Sequence, residues 1–309
     1  MKWISSQPAT LYYAWQVEVY IKNFIENGIN PKDIHVIFVY DVEIPNEIKQ
    51  IAEKYSEVGF YLYPDTRPDT NYIPSIYFNG VKQHFKEFPE LEEEVVMFHD
   101  SDTILLRPWS SNHLLNDDIW YFSNTNAYIN YDYIISKGQD VYRGMLNIVG
   151  LDASIPKLNN ANSGGAQHLI KNTNWEFWDK VESDSIALYK FFCEIEPYYV
   201  KRHESDYPIQ KWTAGMWSLL WNSWKFGNEV RISHDMSFCW ATDDIKAKEG
   251  KQFLHNAGVT PDRLDLFFKG KWIDNVPYHK NLQINPNYCS SEYYKWILNV
   301  EVESPLTNL

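Results

Sequence analysis

Two aspartates spaced two residues apart, Asp100 and Asp102, interrupt an apolar stretch and could serve as ligands of a metal ion. The four residues before His99 (95–98) are all apolar, and a second apolar run (104–106) follows. The first run predicts a buried strand, and because alternate side chains of a strand share a face, both carboxylates can point the same way. Hard oxygen ligands of this kind suit Mg²⁺ or Mn²⁺. A pair at this spacing is also common in solvated turns, so its context decides between the two interpretations.

Strand-like and helix-like segments alternate through the first hundred residues. Strands are predicted at 2–5, 34–40 and 58–63 and from Val95 onward, and helices at 10–27, 45–55 and 75–88. Such alternation with short links predicts a mostly parallel sheet flanked by helices. Ligands bind at the carboxyl ends of the strands in such sheets, which is where the aspartates fall.

The pattern becomes less regular after Asp102. A strand is predicted at 119–122, and helices are predicted at 181–192, at 212–224 and from Leu169. The region from Ile245 onward is predicted to be an aromatic, loop-rich tail. We expect a single α/β domain over 1–309, with a regular α/β half at about 1–110 and an irregular half at about 111–309.

Three further motifs carry residues that could do chemistry. The paired glycines at the end of 162–165 (NSGG) permit positive φ and close approach to a ligand, or form an ordinary polar turn. His255, three residues before Gly258, could supply an imidazole ligand or be a structural histidine. Glu204 and Asp206 precede a Trp-rich helical segment, where either could act as a base or cap the helix.

Composition and charge restrict the class of protein. Acidic residues outnumber basic ones by 41 to 28, and this balance argues against a protein whose main task is to bind nucleic acid. Aromatic residues make up 17% of the chain, enough for a large core and some ring-lined binding surface. Three widely spaced cysteines predict buried thiols rather than disulfides.

Sequence cues to location point to the cytoplasm. No apolar run approaches the length of a membrane span, and residues 1–7 lack the apolar segment of a signal peptide. We therefore expect a cytoplasmic protein. The many Asn, Ile, Lys and Tyr residues indicate AT-rich coding, as in bacterial or viral genomes.

The ordered set of an apolar strand with Asp100-x-Asp102, the NSGG motif and His255-x-x-Gly258 resembles the GT-A glycosyltransferases. The resemblance covers roughly residues 2–258. It implies a single Rossmann-like α/β domain, a nucleotide-sugar donor, and Mn²⁺ or Mg²⁺ as cofactor. The half at about 1–110 would bind the nucleotide, and the half at about 111–309 would hold the donor sugar and the acceptor. UDP is the favoured nucleotide because it is frequent in this family. The donor sugar stays open, as does the hydroxyl-bearing acceptor, which could be a glycan, a protein, a small molecule or a modified nucleic-acid base.

The resemblance also implies roles for individual residues. Asp100, Asp102 and His255 would bind the metal ion, with Ser101 beside the donor. Residues placed near the donor sugar are Asn162, Ser163, Gly164 and Gly165. Those placed near the base, the ribose or the nucleotide-flanking helix are Ser5, Ser6, Gln7, Asp65, Ser75 and Lys82. Asp206 or Glu204 would be the base of an inverting reaction, whereas a retaining reaction needs no base from the protein.

Two other interpretations remain open. A nucleotidyltransferase also uses carboxylates, a metal ion and a nucleotide, but residues 4–11 lack the glycine and the basic residues of its usual phosphate loop. A non-catalytic glycan-binding protein would explain the aromatic residues, but it would not need three metal ligands. Within the glycosyltransferases, the segments 212–217 and 237–240 resemble the hydroxyproline arabinosyltransferase and peptidyl-serine galactosyltransferase branch.

Overall fold

A computed structural model of the chain describes residues 1–202 and 208–307. Its strands are β1 (Lys2–Pro8), β2 (Ile34–Tyr40), β3 (Gly59–Pro64), β4 (Val96–Phe98), β5 (Thr103–Leu105), β6 (Trp120–Asn124), β7 (Gly164–Ile170), β8 (Val230–Ile232), β9 (Phe238–Trp240) and β10 (Phe253–His255). Its helices are α1 (Leu11–Glu26), α2 (Asn46–Lys54), α3 (Ser75–Glu87), α4 (Tyr131–Lys137), α5 (Gln139–Val149), α6 (Ser154–Leu158), α7 (Trp175–Arg202), α8 (Ala214–Lys225) and α9 (Ser290–Glu301).

The chain divides into two compact units. The first contains residues 1–64, 97–113 and 234–309, and the second contains residues 65–96 and 114–233. The first unit has one sheet of order β3-β2-β1-β4 and another of order β5-β10-β9. In the second unit the strand order is β7-β6-β8. The predicted α/β class with mostly parallel strands and flanking helices is confirmed.

Apolar strands and amphipathic helices build the first unit as the sequence predicts. β2 coincides with the predicted strand and pairs in parallel with β1 and β3. The chain returns from each strand to the next through α1 and α2, which lie within two residues of their predicted bounds. Trp15, Tyr20 and Phe24 of α1 are fully buried. The packing of α1 holds β1 and β2 in place within the first unit.

The second unit is centred on the long helix α7, which packs against α3 and α8. The predicted helices at 181–192 and 212–224 correspond to parts of α7 and α8. The helix predicted from Leu169 is wrong, because that residue lies in β7. All seven residues of β7 are buried, and β7 pairs antiparallel with β6. Burial on both faces removes the alternating pattern by which a strand is recognised in sequence.

The tail beyond Ile245 is loop-rich as predicted, but it also contains β10 and α9. Tyr293, Ile297 and Val300 of α9 are fully buried, and their spacing of four and three residues is the helical signal that the sequence offered there. In the described part of the chain, no helix is both long and apolar enough to cross a membrane. The three cysteines are free thiols, and Cys239 and Cys289 are buried as expected.

A buried histidine gives the fold a testable dependence on pH. His35 lies in β2 with its ring 5.0 Å from that of Tyr61, and burial lowers its pKa to about 4. The unfolded chain, with a histidine pKa near 6.5, takes up this proton first as the pH falls. The free energy of unfolding is therefore expected to fall between about pH 6.5 and pH 4, with His35 contributing about 2 kcal/mol of the loss by pH 4.5.

Urea unfolding at pH 7 and pH 4.5 measures this contribution. His35→Val, which keeps a strand-forming residue, is expected to lose about 2 kcal/mol less than the parent chain over that interval. His99, whose pKa burial also lowers to about 4, acts in the same direction and stays in both proteins. An equal loss in the variant and the parent would contradict the assignment to His35.

Candidate metal and nucleotide site

Asp100 and Asp102 lie in a tight turn between β4 and β5, at the end of the buried strand that the sequence predicts. The turn, rather than strand alternation, brings the two carboxylates together. The amide of Thr103 donates a hydrogen bond to the carbonyl oxygen of Asp100 (3.2 Å), and the amide of Asn256 donates one to that of Asp102 (2.9 Å). These backbone bonds hold both aspartates in place.

Strand pairing brings His255 to the same turn. β10 lies between β5 and β9, with His255 opposite Thr103 on one side and Trp240 on the other. Its Nε2 atom lies 3.2 Å from Oδ1 of Asp102 and 3.4 Å from Oδ2 of Asp100. Gly258 has a φ of +82°, a conformation that favours glycine and lets the chain turn away after the histidine.

The chemistry and spacing of these three residues fit a divalent cation. One ligand atom from each of Asp100, Asp102 and His255 lies within 4.8 Å of the other two. Adjacent ligands of an octahedral ion with bonds near 2.1 Å are about 3 Å apart, close to the two distances from the imidazole nitrogen. Two carboxylates and one imidazole suit Mn²⁺ or Mg²⁺ with positions left for phosphate oxygens. The side chain of Asp100 is 41% exposed, which leaves one side of the group open to a ligand.

Lys269 is a further member of the site that the sequence analysis missed. Its Nζ atom forms an ion pair with Oδ2 of Asp102, which is 3% exposed. The signal in the sequence was a single lysine directly after three apolar residues, Leu266, Phe267 and Phe268. A lysine in that setting is as compatible with a surface loop as with a functional site. Only the tertiary structure shows that its partner is Asp102.

Charge compensation explains how the site tolerates a buried carboxylate. Burial by itself would raise the pKa of Asp102, but Lys269 and His255 hold that pKa well below its usual range. Burial would lower the pKa of Lys269 and that of His255, but in each case the charge of Asp102 outweighs it and raises the pKa. Asp102 therefore has the ammonium of Lys269 as its cationic partner, as a buried carboxylate requires.

Two other buried polar side chains adjoin these ligands. Burial lowers the pKa of His99 to about 4, and its Nδ1 atom lies 3.0 Å from the carbonyl oxygen of Asp100, to which a neutral ring can donate. Asn256 is 1% exposed, and neither polar atom of its amide has a hydrogen-bond partner among the described residues. Buried amides normally have hydrogen-bond partners. Asn256 is therefore a second candidate residue of the metal and nucleotide site that the sequence analysis missed.

The residues of β1 and the turn that were predicted to lie near the nucleotide are all buried in the first unit. The hydroxyl of Ser5 pairs with that of Tyr20 (2.6 Å), and the amide nitrogen of Gln7 donates to the carbonyl oxygen of Ile37 (2.8 Å). The hydroxyl of Ser6 and the side-chain oxygen of Gln7 have no hydrogen-bond partner within the described ranges. Ser101, between the two aspartates, is also buried. Their role in donor binding stays a prediction.

The other residues predicted to bind the nucleotide lie in the second unit and have partners there. Asp65 forms a paired contact with the guanidinium of Arg67, which also donates to the hydroxyl of Ser75 (3.0 Å). Lys82 lies 2.7 Å from the carboxylate of Glu182. A donor contact by any of these side chains would need to share or replace such bonds, and it stays a prediction.

The NSGG motif enters β7 instead of preceding a helix. Gly164 and Gly165 are the first residues of that strand, and neither is among the glycines with positive φ. A Cβ atom on Gly164 would lie 2.6 Å from the carbonyl oxygen of Ser123, so close strand packing requires this glycine. Asn162 and Ser163 lie directly before the strand, and Ser163 is buried. Contact of this motif with a donor sugar stays a prediction, and Glu204 and Asp206 lie outside the described residues.

Comparisons with known proteins indicate a fold class. No family model matches the chain, and no curated protein matches it in sequence. Among solved structures, WbbM, a bifunctional glycosyltransferase, matches 99% of this chain and 50% of its own at 9% identity, with a TM-score of 0.54. GlyE, a glycosyltransferase of Streptococcus pneumoniae TIGR4, matches 98% of this chain and 62% of its own at 14% identity, with a TM-score of 0.42. The chain thus spans between half and two thirds of the length of these proteins.

The likeness to WbbM shows that the chain shares the fold of the matched part of that glycosyltransferase, as the ordered motifs predicted. At 9% identity it shows the fold alone. Any activity of this chain must be argued from its own residues.

Proposed function

We propose that this protein is a metal-dependent glycosyltransferase that moves a sugar from a nucleoside-diphosphate sugar to an acceptor hydroxyl. The observation that carries the proposal is the convergence of Asp100, Asp102 and His255 after a buried strand. The glycosyltransferase fold supports it. UDP is the first donor nucleotide to test, with Mn²⁺ or Mg²⁺ as the cofactor.

The residues of the site suit the electrostatics of this reaction. A bound divalent ion would neutralise the negative charge that develops on the leaving diphosphate. Asp100, Asp102 and His255 would hold it, with the turn hydrogen bonds fixing both carboxylates in advance. The ammonium of Lys269 would supply further positive charge beside Asp102. For an inverting reaction, Asp206 or Glu204 would take the proton of the acceptor hydroxyl.

Calorimetry with Mn²⁺ and UDP tests the proposal. If the metal ion and the diphosphate share one site, each should tighten the binding of the other by roughly 5- to 150-fold. The two enhancements must be equal, because coupling between binding sites is reciprocal. The measurement consists of titrating UDP with and without Mn²⁺, and Mn²⁺ with and without UDP.

The outcomes separate the competing functions. Additive binding without coupling would contradict the proposal and favour a glycan-binding protein. Coupled binding followed by metal-dependent release of UDP from a UDP-sugar supports glycosyl transfer. A nucleotidyltransferase would instead turn over a nucleoside triphosphate with a sugar phosphate and would release pyrophosphate.

A further inference from the structure

The second unit contains an open cavity of about 360 Å³ that the metal site does not use. Its lining is mostly aromatic and aliphatic and includes Tyr72, Ile73, Tyr189 and Trp212. Trp212 is 57% exposed and Ile73 is 62% exposed. A large ring held open to solvent beside a concave surface is the usual character of a ligand site rather than of a core.

The cavity is held in shape by hydrogen bonds and ring contacts. The hydroxyl of Tyr72 donates to the carbonyl oxygen of Trp212 and accepts from the amide of Gly215, each at 2.7 Å. The ring of Tyr72 stacks on that of Tyr189 with centroids 4.8 Å apart, and the ring of Trp212 lies 6.0 Å from that of Tyr128. A preformed site loses little conformational entropy when a ligand binds.

The charge of the cavity favours a neutral ligand. Lys211 is the one charged side chain among the described residues of the lining, and its ammonium is paired with the carboxylate of Glu196. A phosphate group would have to compete with that carboxylate. Asn71 adds an amide whose nitrogen donates to the carboxylate of Asp69 (2.7 Å). The cavity therefore combines flat apolar faces with polar groups and has no uncompensated cation in the described lining.

We propose that this cavity binds a neutral sugar residue of a carbohydrate acceptor, with its apolar face stacked on the indole of Trp212. A pyranose ring has one face of C–H groups and a rim of hydroxyls, which matches an aromatic surface with polar neighbours. The assignment of this sugar to the acceptor rests on the proposed glycosyl transfer. The binding itself requires neither the metal ion nor a donor.

Titration of the full chain with neutral disaccharides (lactose, maltose, cellobiose and sucrose) tests this site. Saturation-transfer NMR and calorimetry would be used without metal ion. At least one disaccharide is expected to bind, and Trp212→Ala should weaken that binding by roughly 10- to 100-fold, as for other aromatic stacking contacts. Trp212→Phe should restore part of the affinity. Phe226→Ala, at another exposed aromatic residue of this unit, should leave the affinity unchanged.

Three results would overturn the inference. They are the absence of binding by all four disaccharides, equal affinity in the parent chain and Trp212→Ala, and binding of UDP without metal ion that depends on Trp212. The first two of these results leave the coupling between Mn²⁺ and UDP unchanged. If Mn²⁺ and UDP bind without coupling but disaccharide binding still depends on Trp212, the proposed glycosyl transfer is contradicted and the sugar site is supported.

Discussion

Asp102→Asn is expected to lower kcat/KM for metal-dependent turnover of the sugar nucleotide by about 10²- to 10³-fold. Asp102 is the most buried of the three ligands and contacts both His255 and Lys269. Its amide replacement keeps the shape but removes the negative charge that attracts a divalent ion. Electrostatic groups fixed in advance at a reacting centre contribute about 3–4 kcal/mol to the transition state, which sets the size of the effect.

The matched control is Asp274→Asn, which removes the same charge from an exposed position of the same unit. It should retain the parent activity. Calorimetry of Mn²⁺ and thermal unfolding without metal ion would accompany the assay, so that lost metal binding is distinguished from lost folding. A folded Asp102→Asn protein that keeps full metal-dependent turnover would refute the assignment of the metal site.

Lys269→Met is expected to act in opposite directions on metal binding and on catalysis. In the parent chain the ammonium of Lys269 neutralises Asp102, so a dication must compete with it. Without that competitor, the buried carboxylate keeps only its contact with His255, and we expect the affinity for Mn²⁺ to rise by about tenfold. The same change removes a positive charge next to Asp102, a proposed ligand of the ion that would bind the diphosphate, so we expect kcat/KM for the donor to fall by about 100-fold.

Lys271→Met provides the control, because Lys271 is exposed and lies two residues further along the chain. It should change neither quantity. Manganese affinity from calorimetry and donor turnover would be measured on both variants. Weaker Mn²⁺ binding in Lys269→Met would contradict the competition, and unchanged donor turnover would show that this ammonium does not assist the reaction.

The first part of the fold could be predicted from local sequence patterns. The apolar run of β2 and the helical spacing in α1, α2 and α3 were sufficient to place those elements within about two residues. Such patterns arise because one face or stripe of each element must be buried, so apolar residues recur in the sequence with the period of the strand or helix. The short strands β5, β8, β9 and β10 have three residues each, too few to display a period.

Part of the metal site could also be predicted from local sequence. Asp100 and Asp102 follow a buried strand directly, so their place at its carboxyl end was a local prediction. His255 was a candidate by residue type and by its nearby glycine. Nothing local could show that it lies 3.2 Å from Asp102, because pairing of β10 with β5 joins segments about 150 residues apart.

The sequence by itself determined the alternating strands and helices and the two carboxylates that end one of them. Only the tertiary structure decided that His255 and Lys269 meet Asp102, and that Trp212 lines a cavity with Tyr72 and Tyr189. The physical reason is that secondary structure follows from neighbours along the chain, whereas a site follows from contacts between distant segments. Those contacts form when the whole core is buried, and no short stretch of sequence contains them.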